Sequence, residues 1–443
     1  MENQNAYLKP VTLKNILKFA VPTIAMTVFM SFYTMVDGLF VSNLIGTNAL
    51  SAINLTAPII QLVTAISTML ATGGSAVIMK KMGEQKTEEA KEDFTCLILV
   101  NGLVGFFMCG FGYLAMGRIF AGMKLSLDVE NYCIEYLSRY LLFTVPILLM
   151  NNFTLYMIAS EKATLSLVCS VAGGILNMAL DYIFIAVFHM GISGAAIATG
   201  LGYSVTAVVG LVVFSQKKNL LHFKKPVFRS KILVHAATNG CSEMATALVT
   251  GIITMMFNWT MLHYVGEDGV AAVTIIMYVL MFASSLYTGY SYGVAPMISF
   301  YHGQQNQKKL KKLVALSLKV IAVISVLTVA GSLLLTKSLV LVFTRPDNPV
   351  YNLAVTGNRI CTIALFFIGF NIFASGMFTA LSNGVVSAVL AFSRSFVFML
   401  ITMIVLPAIL GVNGIWLATP AAELMAFAMS ISMFFKYRKR YGY

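Results

Sequence analysis

Residues 313–336 read LVALSLKVIAVISVLTVAGSLLLT, an apolar run interrupted by a single charge, Lys319. About 20 apolar residues suffice to cross a bilayer as a helix, so this run predicts a membrane span. Working outward, comparable runs lie near 15–41, 49–79, 94–116, 132–158, 163–187, 193–215, 232–262, 270–299, 352–380, 386–408 and 413–435. The chain as a whole is 58% hydrophobic and 11% charged over 443 residues, with a mean hydropathy of +0.84. A soluble protein of this length must wet its surface with more polar groups than that. Many Gly, Ser and Ala residues within the runs suit close helix packing in lipid, and the alternation of a β-barrel is absent. The expected fold is an all-α polytopic membrane protein of twelve transmembrane helices.

The formal net charge of +13 would suit a nucleic-acid binder, but its distribution argues for topology instead. With the N-terminus placed in the cytoplasm, 22 of the 30 Lys and Arg residues fall on the inside, against 4 outside: Arg118, Lys124, Lys337 and Arg345. That asymmetry is the positive-inside pattern and predicts a multi-pass cell-membrane protein with both termini cytoplasmic. No nucleic-acid partner is expected. Residues 1–14 are polar and show no cleavable signal pattern. The six cysteines are scattered without CxxC or Cys/His pairing, which predicts neither a disulfide nor a structural metal.

A shift of 220 residues aligns the two halves without gaps. Gly46 meets Gly266, Gly73 meets Gly293, Gln85 meets Gln305, Gly191 meets Gly411 and Thr199 meets Thr419. Six spans per half is an even number, so the repeats share orientation and form two lobes around a central cavity. The expected organisation is an N-terminal six-helix lobe at 1–217, a cytoplasmic linker at 218–230 and a C-terminal six-helix lobe at 231–443. The stretch QKKNLLHFKKPVFRSK at 216–231 carries the linker's basic charge.

An ionisable group at mid-bilayer costs about 2.5–3.5 kcal/mol on insertion scales, so each one calls for a reason. Four acids qualify: Asp37, Asp181, Glu243 and Glu423. Asn177 precedes Asp181 by one helical turn on the same face, and Thr199 on the next span adds a hydroxyl. Carboxylates beside an amide and a hydroxyl suit two jobs, accepting protons or ligating a bare Na⁺. The bland alternative is a satisfied buried hydrogen bond with no transport role. Arg394 is placed to neutralise an acid or to face a cavity. Lys319, His189 and His263 read as snorkelling side chains near span ends. Tyr33, Met26 and Met256 are candidates for lining an adaptable pocket. Pro22, in the first span, is a candidate gating point, because bending there would move Asp37.

The run VPTIAMTVFMSFYTMVDGLFVSNLIGTNALSAINLTAPI at 21–59, with GGSAVIMKKMGEQKTEEA at 73–90, resembles the multidrug and toxic compound extrusion (MATE) family. The stretches LNMALDYIFI at 176–185, MGISGAAIATG at 190–200 and GVAPMISFYHGQQNQKK at 293–309 are similar too. The likeness covers the whole chain and points to the bacterial multidrug-efflux branch. It implies a cation-coupled antiporter with alternating access, exporting lipophilic cationic compounds in exchange for H⁺ or Na⁺. The family's first-helix acid falls on Asp37, its fifth-helix pair on Asn177 and Asp181, and its sixth-helix threonine on Thr199. The seventh-helix glutamate of some branches matches Glu243. The tenth helix, CTIALFFIGFNIFASGMF at 361–378, departs from the pattern, holding Asn371 where an acid stands in some branches. The coupling chemistry is therefore expected in the N-terminal lobe, with Glu243 and Asn371 as a second cation or substrate site. No cofactor is expected beyond the coupling ion, and the chain is expected to act as a monomer among membrane lipids.

The nearest rival is a lipid-linked oligosaccharide flippase of the same superfamily, which would need a basic cavity for pyrophosphate. An intramembrane enzyme is disfavoured because the spans carry no HExxH or Ser/His dyad. A non-transporting receptor would not need duplicated lobes.

Overall fold

The computed structural model describes the backbone of residues 6–443 apart from Gly46 and Lys124, and the side chains apart from those of 6, 37–44, 47, 48, 50 and 51. The first half runs through α1 (Leu13–Leu44), α2 (Thr47–Gly83), α3 (Thr87–Gly122), α4 (Leu127–Leu141), α5 (Thr144–Ala159), α6 (Ala163–Asp181) and α7 (Gly191–Ser215). The second half runs through α8 (Ser230–Tyr264), α9 (Glu267–Gly303), α10 (Gln307–Leu341), α11 (Pro349–Cys361), α12 (Leu365–Ala380), α13 (Gly384–Phe392), α14 (Met399–Leu410) and α15 (Val412–Tyr441). Helix is what the sequence demands here, because lipid offers no partner for a bare backbone amide and a helix satisfies its own. Large apolar side chains accordingly face outward, Phe107, Phe111 and Leu114 of α3 among them. Eleven stretches among the described residues are long and apolar enough to span a membrane, and the bent pair α4–α5 makes the twelfth.

That bend, 54° between α4 and α5, is where proline matters most. Pro146 sits in the first turn of α5, where its missing N–H leaves no helical bond to lose. Continued back into α4, the same ring would collide with the carbonyl four residues earlier. Pro22, Pro58, Pro296, Pro407 and Pro420 lie instead inside unbroken helices.

The duplication is written into the backbone. Gln85 and Gln305 turn with left-handed φ of 63° and 55°, and Gly191 and Gly411 both open a helix at φ 58°. By contacts, the chain divides into two compact units, 25–240 and 1–24 with 241–443. These units cut the chain inside α1 and α8, not at the linker. The cause is visible within each unit. In the first, Gly73 of α2 lies so close to the start of α8 that a Cβ there would sit 1.9 Å from the Ala236 carbonyl oxygen. In the second, a Cβ on Gly293 would sit 2.8 Å from Cα of Ala20 in α1. Glycine at 73 and at its repeat partner 293 thus holds one helix start in each unit. Each unit has its own apolar core, around Leu137, Leu148 and Ile192 in the first and around Phe257, Ile276 and Trp416 in the second.

The segment between α7 and α8 is fastened to α3. Arg229 donates to Glu92 at 2.8 Å and to Asp93 at 3.0 Å, and Asp93, fully buried, also pairs with Lys81. Lys224 donates to Glu88 at 2.9 Å, and its backbone N–H to Thr95 at 3.0 Å. The ring of Phe223 stacks on Phe94. Its hydrogen bond to the Glu88 carboxylate holds the Lys224 ammonium above its usual pKa. Stability from a raised lysine is complete below the ordinary value and is lost only as pH climbs through the raised one, so the strap stays charged near neutrality. Salt, not pH, is what loosens it. Replacing Lys224 and Arg229 together by Gln should raise protease cleavage within 217–229 a few-fold at low salt, and wild type in high salt should approach the variant. Cleavage unchanged by either treatment would mean that packing of Phe223 alone holds the segment.

Candidate functional site

The first-half site is built where α6 meets α7. The two helices approach closely because glycines face each other: a Cβ on Gly202 would meet the Gly173 carbonyl oxygen at 2.8 Å and Cβ of Asn177 at 2.9 Å. That approach lets Asn177 Nδ2 donate to Thr199 Oγ1 at 3.3 Å, while the Thr199 hydroxyl gives its own proton to the Ala195 carbonyl at 3.0 Å. With its one proton committed, the threonine oxygen only accepts, which fixes the amide with its NH₂ toward Thr199. The Asn177 Oδ1 therefore points the other way, buried and, among the described residues, accepting no hydrogen bond. Asp181 follows one turn on and is fully buried. Directly after it, residues Tyr182–Val187 form a π-helical stretch, a local widening of the helix that is common at functional sites. A buried carboxylate beside an unsatisfied amide oxygen is an acceptor-rich site, completed by a proton or by a small cation.

Asp37 belongs to the helical backbone of α1, but its side chain lies outside the described residues. Tyr33, one turn earlier on α1, is buried and lines a small cavity of about 10 Å³ with Met30, Ser170, Gly202 and Thr206, roughly room for one water. Met26 is buried with Ile158 and Ala163, and its sulfur accepts from Ser166 at 3.3 Å. Pro22 stands two residues before the point, between Ile24 and Ala25, at which α1 passes from one compact unit to the other.

The second half is wired differently. Residues 220 positions on from Asn177 and Asp181 are Val397 and Ile401, so only the threonine of the cluster is repeated, as Thr419. Polar chemistry gathers instead on Glu423 of α15. Arg394, in a π-helical stretch at Ser393–Phe398, donates through Nε to both Glu423 oxygens, at 2.8 and 3.1 Å. Asn371 of α12 donates to Glu423 Oε2 at 2.8 Å and to its carbonyl at 2.9 Å, and accepts from Ser430 at 3.0 Å. Glu243 of α8 stands beside the Tyr292 hydroxyl in the field of Arg394. Two carboxylates thus share one guanidinium, leaving the cluster one negative charge in excess when all are ionised. Met256 packs half-buried on the core of this unit.

The structure brings Asn177 and Thr199 into hydrogen-bond contact and places Asp181 one turn on along the same helix. Asn371 and Glu243 sit around Arg394 and Glu423, and Glu423 forms a buried ion pair in mid-helix. Tyr292 and Ser430 carry no signal in the sequence that separates them from other span hydroxyls. Among the described residues no group of three His, Cys, Asp or Glu could hold a metal ion.

The MatE sequence family matches this chain twice, at residues 22–183 and 244–405. The multidrug export protein MepA of Staphylococcus haemolyticus is 23% identical over 430 residues, covering 96% of this chain and 94% of that protein. MepA of Staphylococcus aureus strain MRSA252 is 21% identical over 98% of this chain and 96% of its own length. Among solved structures, a MATE protein in complex with MaL6 superposes with a TM-score of 0.92 at 22% identity, covering 99% of this chain and 98% of that one.

Proposed function

Since the chain belongs to the MatE family, its two matches spanning both halves, we propose that it is a multidrug efflux transporter and not an enzyme. It exports lipophilic cations by antiport against H⁺ or Na⁺. The reading rests above all on the buried Asn177–Asp181–Thr199 cluster, acceptor-rich and set within a duplicated polytopic fold. The working lobes are 1–217 and 231–443, joined by 218–230, and both termini face the cytoplasm.

Loading the cluster with a proton or Na⁺ removes the negative charge of Asp181, and of Asp37 on α1. That changes how α1 packs and lowers affinity for a cationic guest on the outer side. Unloading to the cytoplasm restores the carboxylates, which attract the next cation. Coupling follows because ion and drug prefer opposite charge states of one site. Bending near Pro22, where α1 changes unit, is the proposed movement, and Tyr33, Met26 and Met256 supply adaptable apolar contacts. Glu243 and Asn371 form the second polar site.

Everted membrane vesicles test the reading. An inside-acid gradient should drive uptake of a fluorescent lipophilic cation such as ethidium in vesicles containing the protein, well above vesicles without it. Absence of uptake under both H⁺ and Na⁺ gradients, together with movement of a fluorescent pyrophosphate-linked lipid, would replace the antiporter with the flippase.

A further inference from the structure

A cavity of about 500 Å³ opens between α10, α12 and α15 within the 241–443 unit. Its walls are Val314, Leu318, Phe370, Phe427, Ile431 and Phe434. One end is closed by Tyr443: Gly442 turns back with a left-handed φ of 73°, and the Tyr443 hydroxyl donates to the Phe434 carbonyl at 3.3 Å. At that same end stand two cations, Lys311 near the start of α10 and Arg438 in the last turn of α15. Both are exposed, and among the described residues neither joins an ion pair. No acid lines the cavity.

We infer that this groove is a binding site for one anionic phospholipid, its acyl chain lying along the phenylalanine walls and its phosphate held by Lys311 and Arg438. The occupant follows from charge and place. A cationic drug would meet two like charges and no acid, the reverse of the Asp181 and Glu243 environments. A zwitterionic lipid would fill the walls but gain little from the basic end. Both cations lie where α10 begins and α15 ends, among Lys308, Lys312 and Lys439, the basic side of the positive-inside pattern. That side faces the anionic leaflet, where basic pockets between helices hold acidic head groups. Ser430 lines the back of the groove and donates to Asn371, which holds Glu423. An occupied groove is thus two hydrogen bonds from the Arg394–Glu423 pair.

The test reads binding, not transport, so its outcome is independent of the efflux proposal. The full-length protein, delipidated in mild detergent, is titrated with palmitoyl-oleoyl phosphatidylglycerol and with the phosphatidylcholine of the same chains, and bound lipid is counted by native mass spectrometry. Wild type should prefer phosphatidylglycerol. The Lys311→Gln/Arg438→Gln variant should bind it roughly thirtyfold more weakly, about fivefold for each basic side chain near an anionic surface. Ala315→Trp, which fills the groove, should reduce both lipids, while Lys217→Gln/Lys218→Gln should change neither. An unchanged melting temperature certifies that each variant is folded, and if one groove variant misfolds the other decides. Equal binding of the two lipids by wild type overturns the inference. So does an equal loss in the Lys217/Lys218 control, or displacement of the phospholipid by ethidium at lower concentration than by phosphatidylglycerol itself.

Discussion

Asp181→Asn should bring gradient-driven export of a lipophilic cation down to the rate of protein-free liposomes while leaving the protein folded. The substitution keeps the volume of a fully buried side chain but removes its carboxylate, the group that alternates between charged and neutral. Without the Asp181 charge the ion-loaded and empty states differ too little for the gradient to drive the conformational cycle. Asn177→Ala should be milder, about tenfold in rate or roughly 1.4 kcal/mol, because it removes one neutral ligand and leaves the carboxylate. Thr199→Ala should resemble it, since the hydroxyl acts by orienting Asn177. Rates in reconstituted liposomes, compared at matched protein content and melting temperature, check the order. An Asp181→Asn protein that transports as well as wild type would move the coupling site to Glu243.

The second large effect is on stability. Arg394→Met should cost about 3 kcal/mol or more, because it strands the Glu423 carboxylate in a buried setting where, among the described residues, only Asn371 still donates to it. Adding Glu423→Gln should recover much of that loss, since a neutral amide has no charge to strand and can still accept from Asn371. Thermal unfolding of the two single variants and the double in one detergent gives the coupling directly. A double variant that is simply as unstable as the sum of its parts would make Arg394 and Glu423 independent residues that happen to touch. The arginine side chain keeps 19% of its surface exposed, which sets the expected cost at the lower end of the range for buried ion pairs.

How far the sequence could be read differs from element to element. The spans were legible because a bilayer imposes one length on every apolar run. The repeat was legible because Gly73, Gln85 and Gly191 occupy backbone positions, close contacts and left-handed turns, that tolerate few other residues, so their copies at 293, 305 and 411 persist. Asn177 and Asp181 were legible as a pair because they lie one turn apart on one helix, and Thr199 because its helix follows at once. Arg394 and Glu423 were not, since 29 residues and a π-helical stretch separate them and no periodicity links them. Of six prolines in apolar runs, the sequence gives no reason to single out Pro146. Its effect depends on α5 starting beside it, a consequence of packing against α2, α3 and α7. The strap at 224–229 read as a basic linker, and the acids that neutralise it sit in the first turns of α3, more than 130 residues away.

The claim that drug export is coupled to an ion through Asp181 is tested most directly in proteoliposomes of defined lipid. Ethidium flux is recorded under an imposed pH gradient and, separately, an imposed Na⁺ gradient, for wild type and Asp181→Asn. Wild-type flux driven by one of the gradients, and lost in Asp181→Asn under both, is the predicted result and names the ion. Flux that ignores both gradients in wild type, or that survives in Asp181→Asn under the driving gradient, would contradict it.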